Sequence, residues 1–199
     1  MIAGFARLQN LESELVPQVL RSAGVDWVLE LAPAASPSPR ADVPRHRMLF
    51  SDPGWVWPCR LTPALLPFAN ESLPAVLIRH LFWLDGAPLL LEEAVRCLKP
   101  GGLLVSVSAN PWHPGSFREL GRDALALPPW PSFVMQHGRH SLELELPART
   151  AWRSMIPGVT PLLVVSGRKP PRGIPIGRLD LRRVRGPAAG PLPTSCRAA

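Results

Sequence analysis

The sequence predicts an α/β domain: an open, mostly parallel sheet with antiparallel C-terminal edge strands. Three observations predict it. Nearly continuous apolar runs, too apolar for strands exposed on one face, stand at Val28–Leu31, Ala75–Ile78 and Leu103–Ser108. Helical periodicity precedes the first run and fills the interval between the second and third. Ser141–Leu146 (SLELEL) then alternates apolar and charged residues, and Pro161–Ser166 (PLLVVS) is apolar, so the two read as an antiparallel pair.

Each element has its own signal. Ala6–Ala23 reads as an amphipathic helix with Leu8, Leu11, Leu15 and Val19 on one stripe, Pro17 as a break or kink, and Gly24 as C-cap. Val25–Leu31 (VDWVLEL) reads as a buried strand. The prolines at 33, 37, 39 and 44 exclude an ordinary helix after it. His46–Phe50 is a short strand ending at Ser51-Asp52, and 53–67 is a proline- and tryptophan-rich connection. Pro74–Ile78 begins the next strand. A helix from about Ala87 to Leu98 follows, with Asp85 as N-cap, Pro88 in the first turn, Leu91, Val95 and Leu98 inward, and Glu92 spaced to pair with Arg96. Pro100-Gly101-Gly102 ends it and turns the chain into Leu103–Ser108. Residues 1–176 form the predicted domain, and 177–199 a basic Pro/Gly/Arg-rich tail without a core of its own.

Composition bounds the function classes. With 199 residues and 46% hydrophobic content the chain builds one core rather than two. Its 26 prolines demand many rigid connections. The net charge of +7 attracts polyanions, and the arginines from 168 to 185 predict weak, nonspecific contact through the tail. Cys59, Cys97 and Cys196 form no Cys-x-x-Cys pair, which argues against a disulfide framework or zinc site and for the cytoplasm. The N-terminus shows no secretory-leader pattern, and no apolar run is long and uncharged enough to predict a membrane span.

One stretch carries a resemblance. Leu66-Pro67-Phe68, the polar turn Asn70-Glu71-Ser72, an apolar strand, His80, and a helix ending in Leu98-Lys99-Pro100-Gly101-Gly102 resemble the central half of a class I S-adenosylmethionine (SAM)-dependent methyltransferase, a Rossmann-like fold. Ser106–Pro111 with Trp112, and Val164–Ile176, resemble a group of small bacterial methyltransferase-like (type 11-like) proteins. The resemblance implies SAM as cofactor and an acceptor that the sequence does not name. It implies a site made of Glu30 at the end of the first strand, the loop at Ala32 and Ala34, Asp52, Leu66 and His80. Ala32 and Ala34 stand where the family has glycines, which predicts weak binding. Asp52 reads either as the acceptor of ribose hydroxyl hydrogen bonds or as a turn aspartate before Pro53-Gly54. Thr62 stands where the family often has an acidic residue facing adenine.

Other features reach less far. Asn110-Pro111-Trp112 is similar to the Asn-Pro-Pro-aromatic motif of amino-group methyltransferases, but it lies one strand too late and reads as a loop. His137 and His140 have no third metal ligand, and Gly138 argues against a helix there. No catalytic residue is singled out, since methyl transfer requires mainly positioning. The functional expectation is a SAM-dependent methyltransferase. The alternatives are a methyltransferase-fold protein that binds or scaffolds without catalysis, and a basic nucleic-acid-binding module.

Overall fold

The structure is a computed structural model that describes residues 6–38, 42–52, 54–60, 65–84, 86–145 and 160–171. Its chain order is α1 (Ala6–Ala23), β1 (Val28–Pro33), β2 (Arg45–Ser51), β3 (Gly54–Trp57), β4 (Leu73–Arg79), α2 (Ala87–Cys97), β5 (Leu98–Ala109), α3 (Pro114–Leu120), a 3-10 turn (Gly121–Ala126), α4 (Trp130–Gly138), β6 (Glu143–Glu145) and β7 (Leu162–Arg168). The strands form one sheet in the order β3-β2-β1-β4-β5-β7-β6. β2, β1, β4 and β5 run parallel, while β3 pairs antiparallel with β2, and β7 antiparallel with both β5 and β6. The predicted α/β architecture is therefore present, with its three central strands and its antiparallel C-terminal pair.

Both faces of the sheet are covered, which is why the central strands are apolar throughout. On one face Leu29, Leu31, Met48, Phe50, Val76, Ile78 and Leu104 pack with Leu90, Leu91 and Ala94 of α2 and with Trp130 and Phe133 of α4. On the other, Val28, Ala75, Leu77, Val105 and Val107 pack under Leu8, Val16 and Leu20 of α1.

Several expectations change. Helix α1 runs through Pro17 without ending. The missing N–H costs one helical bond, and burial of Val16 and Leu20 on the sheet offsets it. The stripe facing the sheet is Leu8-Glu12-Val16-Leu20, rotated from the predicted one, and Leu11 is exposed. β1 begins at Val28 and runs on to Pro33. Arg96 pairs with Glu93 at 2.7 Å, one turn away, instead of with Glu92. Gly86 occupies the N-cap of α2, and the proposed cap Asp85 lies outside the described residues. β5 starts at Leu98, directly from the helix: Leu98 pairs with Leu73 and Leu103 with Ala75, so 99–102 bulges out of register. Gly102 is obligatory in that bulge, because a Cβ there would come 2.8 Å from the Lys99 carbonyl oxygen. β3 lies in the segment read as a plain connection. α3 and α4 lie where the sequence signal was weak, and α4 includes both His137 and Gly138. Gly24, with φ +63°, donates its N–H to the Arg21 carbonyl and closes α1 as predicted. The basic tail and Thr62 lie outside the described residues.

Candidate functional site

The strand order reverses between β1 and β4. From β1 the chain moves outward to β2 and β3, then crosses back to β4 on the other side. In open α/β sheets such a switch point leaves a crevice at the carboxyl ends of the strands, where ligands bind. Here those ends are Ala32-Pro33 of β1, Ser51-Asp52 after β2, and Arg79-His80 of β4.

The predicted site residues divide into two sets. Glu30 and His80 are brought together, but by residues that the sequence reading missed. Arg79 is fully buried at the end of β4. Its Nη1 donates to Glu30 Oε1 at 2.6 Å and to the Pro37 carbonyl at 3.1 Å. Its Nε and Nη2 donate to the two carboxylate oxygens of Glu12 on α1, at 3.3 and 2.5 Å. His80 Nε2 lies 2.8 Å from Glu12 Oε1. Glu30 Oε2 accepts from the Ser38 hydroxyl at 2.8 Å and is approached by Arg45 at 3.5 Å and Arg47 at 3.6 Å. Burial alone would raise the Glu12 pKa; His80 and Arg79 outweigh it and hold the carboxyl at about 2. Glu12 and the Arg79 guanidinium thus stay ionised at neutral pH. His80 adopts φ 50°, donates its N–H to the Val107 carbonyl, and accepts from the Trp83 indole N–H at 2.8 Å through its own carbonyl. The network pins α1, β1, β4 and the turn after β4 to one another.

The loop at Ala32 and Ala34 follows a different course from a glycine cradle. Ala32 is buried in β1, and neither alanine has positive φ. The Ala34 N–H donates to the Phe50 carbonyl at 2.7 Å, and the Ser36 N–H to the Pro33 carbonyl at 2.9 Å. The loop therefore continues the β1–β2 ladder into a tight turn, a path alanine follows without strain. Asp52 is exposed in the tight turn between β2 and β3. Leu66 is buried away from the network: its N–H donates to Glu93 Oε2 at 3.1 Å, and its carbonyl accepts from Arg96.

Signals for the missed residues existed. Arg79 interrupts the apolar run Ala75–Ile78 just before His80, and a charge at a strand end buried on both faces needs a partner. Glu12 sits four residues from Leu8 and from Val16, inside the apolar stripe. Two buried side chains of opposite charge at such positions are candidates to pair.

A second concavity lies beyond the carboxyl end of β5. Pro111, Trp112, His113, Pro114 and Phe117 line a cavity of about 570 Å³. His113 Nδ1 accepts from the Gly115 N–H at 2.9 Å, so the ring's proton is on Nε2. Partial burial lowers the His113 pKa and keeps the ring neutral. Asn110 organises the loop: its Nδ2 donates to the Thr160 carbonyl and its Oδ1 accepts from the Trp112 N–H, in keeping with a loop role. His137 lies buried on α4 with Nδ1 2.6 Å from the Phe133 carbonyl oxygen, and burial lowers its pKa to about 4. Among the described residues no three His, Cys, Asp or Glu side chains gather as a metal site, and no helix is long and apolar enough to cross a membrane.

No family model matches this chain, and no curated protein matches it. Solved structures do. A SAM-dependent methyltransferase from Aquifex aeolicus aligns with TM-score 0.55 at 10% identity, over 82% of this chain and 92% of that one. The chain has the class I methyltransferase fold. A Thermotoga maritima SAM-dependent methyltransferase, described as a possible histamine N-methyltransferase, aligns with TM-score 0.50 at 14% identity over 83% of this chain and 93% of its own. A SAM-dependent methyltransferase from Archaeoglobus fulgidus aligns with TM-score 0.50 at 13% identity, over 79% and 94%. At these identities the likeness concerns the methyltransferase fold alone.

Proposed function

We propose that this chain is a SAM-dependent methyltransferase that binds its cofactor weakly, in the crevice at the carboxyl ends of β1, β2 and β4. The carrying observation is the switch point itself, with the exposed carboxylate of Asp52 at its β2 side. The residues fit the two ends of SAM unequally. Asp52 is free to accept hydrogen bonds from the ribose hydroxyls. At the β1 loop the methionine end finds Glu30 saturated by the chain's own side chains and the Ala34 and Ser36 N–H groups bonded within the backbone.

Bound SAM supplies an activated methyl group. The chain's own contribution is positioning: the Glu12–Arg79–Glu30 network fixes the ends of β1 and β4 that wall the crevice. We seat the methyl acceptor in the cavity at Trp112 and Phe117, where His113 Nε2 is available as a donor. Calorimetry with SAM and S-adenosylhomocysteine tests the reading. Weak binding that falls at least about tenfold in Asp52→Ala supports it, in line with a charge-assisted hydrogen bond. No heat with either ligand removes it.

The saturated methionine end also favours a second reading, a methyltransferase-fold protein that serves as a binding partner without catalysis. Restoring the loop with Ala32→Gly and Ala34→Gly distinguishes the two: tighter SAM binding supports an enzyme limited by its loop, and unchanged absence of binding supports the partner. In either reading we take the cytoplasm as its compartment and the tail as a weak polyanion contact.

A further inference from the structure

The connection from β1 to β2, residues 34–44, carries no helix among its described residues, although a parallel crossover usually does. Beside it, toward the amino end of β2 and away from the switch-point crevice, lies an open pocket of about 420 Å³ lined by Ser38, Asp42, Val43, Pro44, Arg45 and Arg47. That volume is within the range of small-ligand sites.

Its charges do not balance. Arg79 satisfies Glu12 and one oxygen of Glu30, leaving a single carboxylate oxygen, Glu30 Oε2, to face two guanidiniums. Both approach it at long range, 3.5 Å for Arg45 and 3.6 Å for Arg47, because the Ser38 hydroxyl already occupies it at 2.8 Å. Arg47 Nη2 donates to the Ser36 carbonyl, but its Nε, shielded from solvent, makes no hydrogen bond. Arg45 is only 14% exposed in its side chain. The other carboxylate of the pocket, Asp42, is drawn off by Arg21 at 3.1 Å. Burial pushes the Arg45 pKa down despite the pull of Glu30, and Arg79 and Arg47 add to the lowering.

We infer that this pocket is a binding site for a small oxyanion of the phosphate class, held between the guanidiniums of Arg45 and Arg47 with the Ser38 hydroxyl beside them. Planar guanidiniums match tetrahedral oxyanions with paired hydrogen bonds, and a partly desolvated pair binds them more strongly than surface lysines do. None of its lining residues stands at the carboxyl ends of β1, β2 or β4, so the inference does not depend on the methyltransferase reading.

The probe is inorganic phosphate, titrated against the full chain at constant ionic strength set with chloride, and read by thermal melting and by phosphorus NMR line broadening. The expected result is a saturable rise in Tm of roughly 5–11 °C once phosphate exceeds its dissociation constant a hundredfold. Acetate in place of phosphate should give less than half of that rise, which separates a phosphate site from a general carboxylate one. Arg45→Gln with Arg47→Gln should abolish the response. Asp42→Asn provides a test that a folding defect cannot imitate: it removes an acidic neighbour and should tighten phosphate binding by roughly twofold to fivefold at low salt. A Tm rise reproduced by chloride alone, a double variant that responds like the parent, or an Asp42→Asn protein that binds phosphate more weakly overturns the inference.

Discussion

Replacing Arg79 by Met tests the centre of the structure. The substitution keeps an unbranched apolar stem and removes the charge that joins Glu12 and Glu30. Arg79 donates four hydrogen bonds to carboxylates and to Pro37. Its loss affects the two acids unequally. Glu30 keeps Ser38, Arg45 and Arg47, whereas Glu12, fully buried, keeps His80. Removing one partner of a buried ion pair costs about 3–5 kcal/mol, because the remaining charge stays desolvated. For a chain of this size that is a fall in Tm of roughly 6–20 °C. The assay is urea unfolding at pH 7 and pH 4, reading a change in midpoint with unchanged slope. The folded-state pKa of Glu12, about 2, lies below its unfolded value of 4.5. Its contribution in the parent protein is therefore complete above pH 4.5 and disappears as pH falls toward 2. In Arg79→Met the part owed to Arg79 is gone while the part owed to His80 remains, so the gap between the two proteins should narrow in acid. Adding Glu12→Gln to Arg79→Met should recover part of the loss, since it removes the stranded charge. A cost below about 1 kcal/mol at pH 7, or a double variant less stable than Arg79→Met, refutes the account.

Other perturbations have equally definite outcomes. His137 is held neutral, with a folded pKa of about 4 against 6.5 unfolded, so acid favours the unfolded chain: stability should fall by about 2 kcal/mol between pH 7 and pH 5, and His137→Leu should flatten the pH–melting profile in that window. Gly102→Ala forces a Cβ against the Lys99 carbonyl and should cost about 1–3 kcal/mol in denaturant melts, with Val105→Ile, elsewhere on β5, as a comparison for ordinary overpacking. Trp112→Ala should leave Tm within about 2 °C, since the residue is 43% exposed, while lowering methyl transfer to any acceptor identified for the cavity.

How much of this was legible in the sequence depends on whether the determinant was local. The central strands were readable because burial on both faces imposes an apolar run on each, and the C-terminal pair because β6 alternates. Gly24 was readable because a left-handed C-cap is a one-residue requirement. α3 and α4 were not: past Asn110 the periodic signal weakens in a proline-bearing stretch, yet Pro114 and Pro131 sit at helix N-termini, where no N–H is needed. The site was half legible. Glu30 and His80 could be placed near the switch point, but Arg79, the partner of Glu30, closes an apolar run, and Glu12, the partner of both Arg79 and His80, is 67 residues away from Arg79 in the chain. No local pattern encodes a pairing at that separation. The choice of Leu11 over Glu12 for the inward stripe followed from treating charge as an outward signal, and the buried guanidinium reversed it.

The hairpin of β2 and β3 has a consequence for how the molecule meets its neighbours. β3 is one of the two edge strands, unpaired on its outer side among the described residues, and it carries exposed Val56 and Trp57. An unpaired border with apolar side chains invites a strand from another chain to add on. This one is short, Gly54–Trp57, and is followed at once by Pro58, which has no N–H to offer an incoming strand. The hairpin thus ends the sheet with a border that resists extension, and a β3 lengthened by replacing Pro58 would turn a solubility safeguard into a site of self-association.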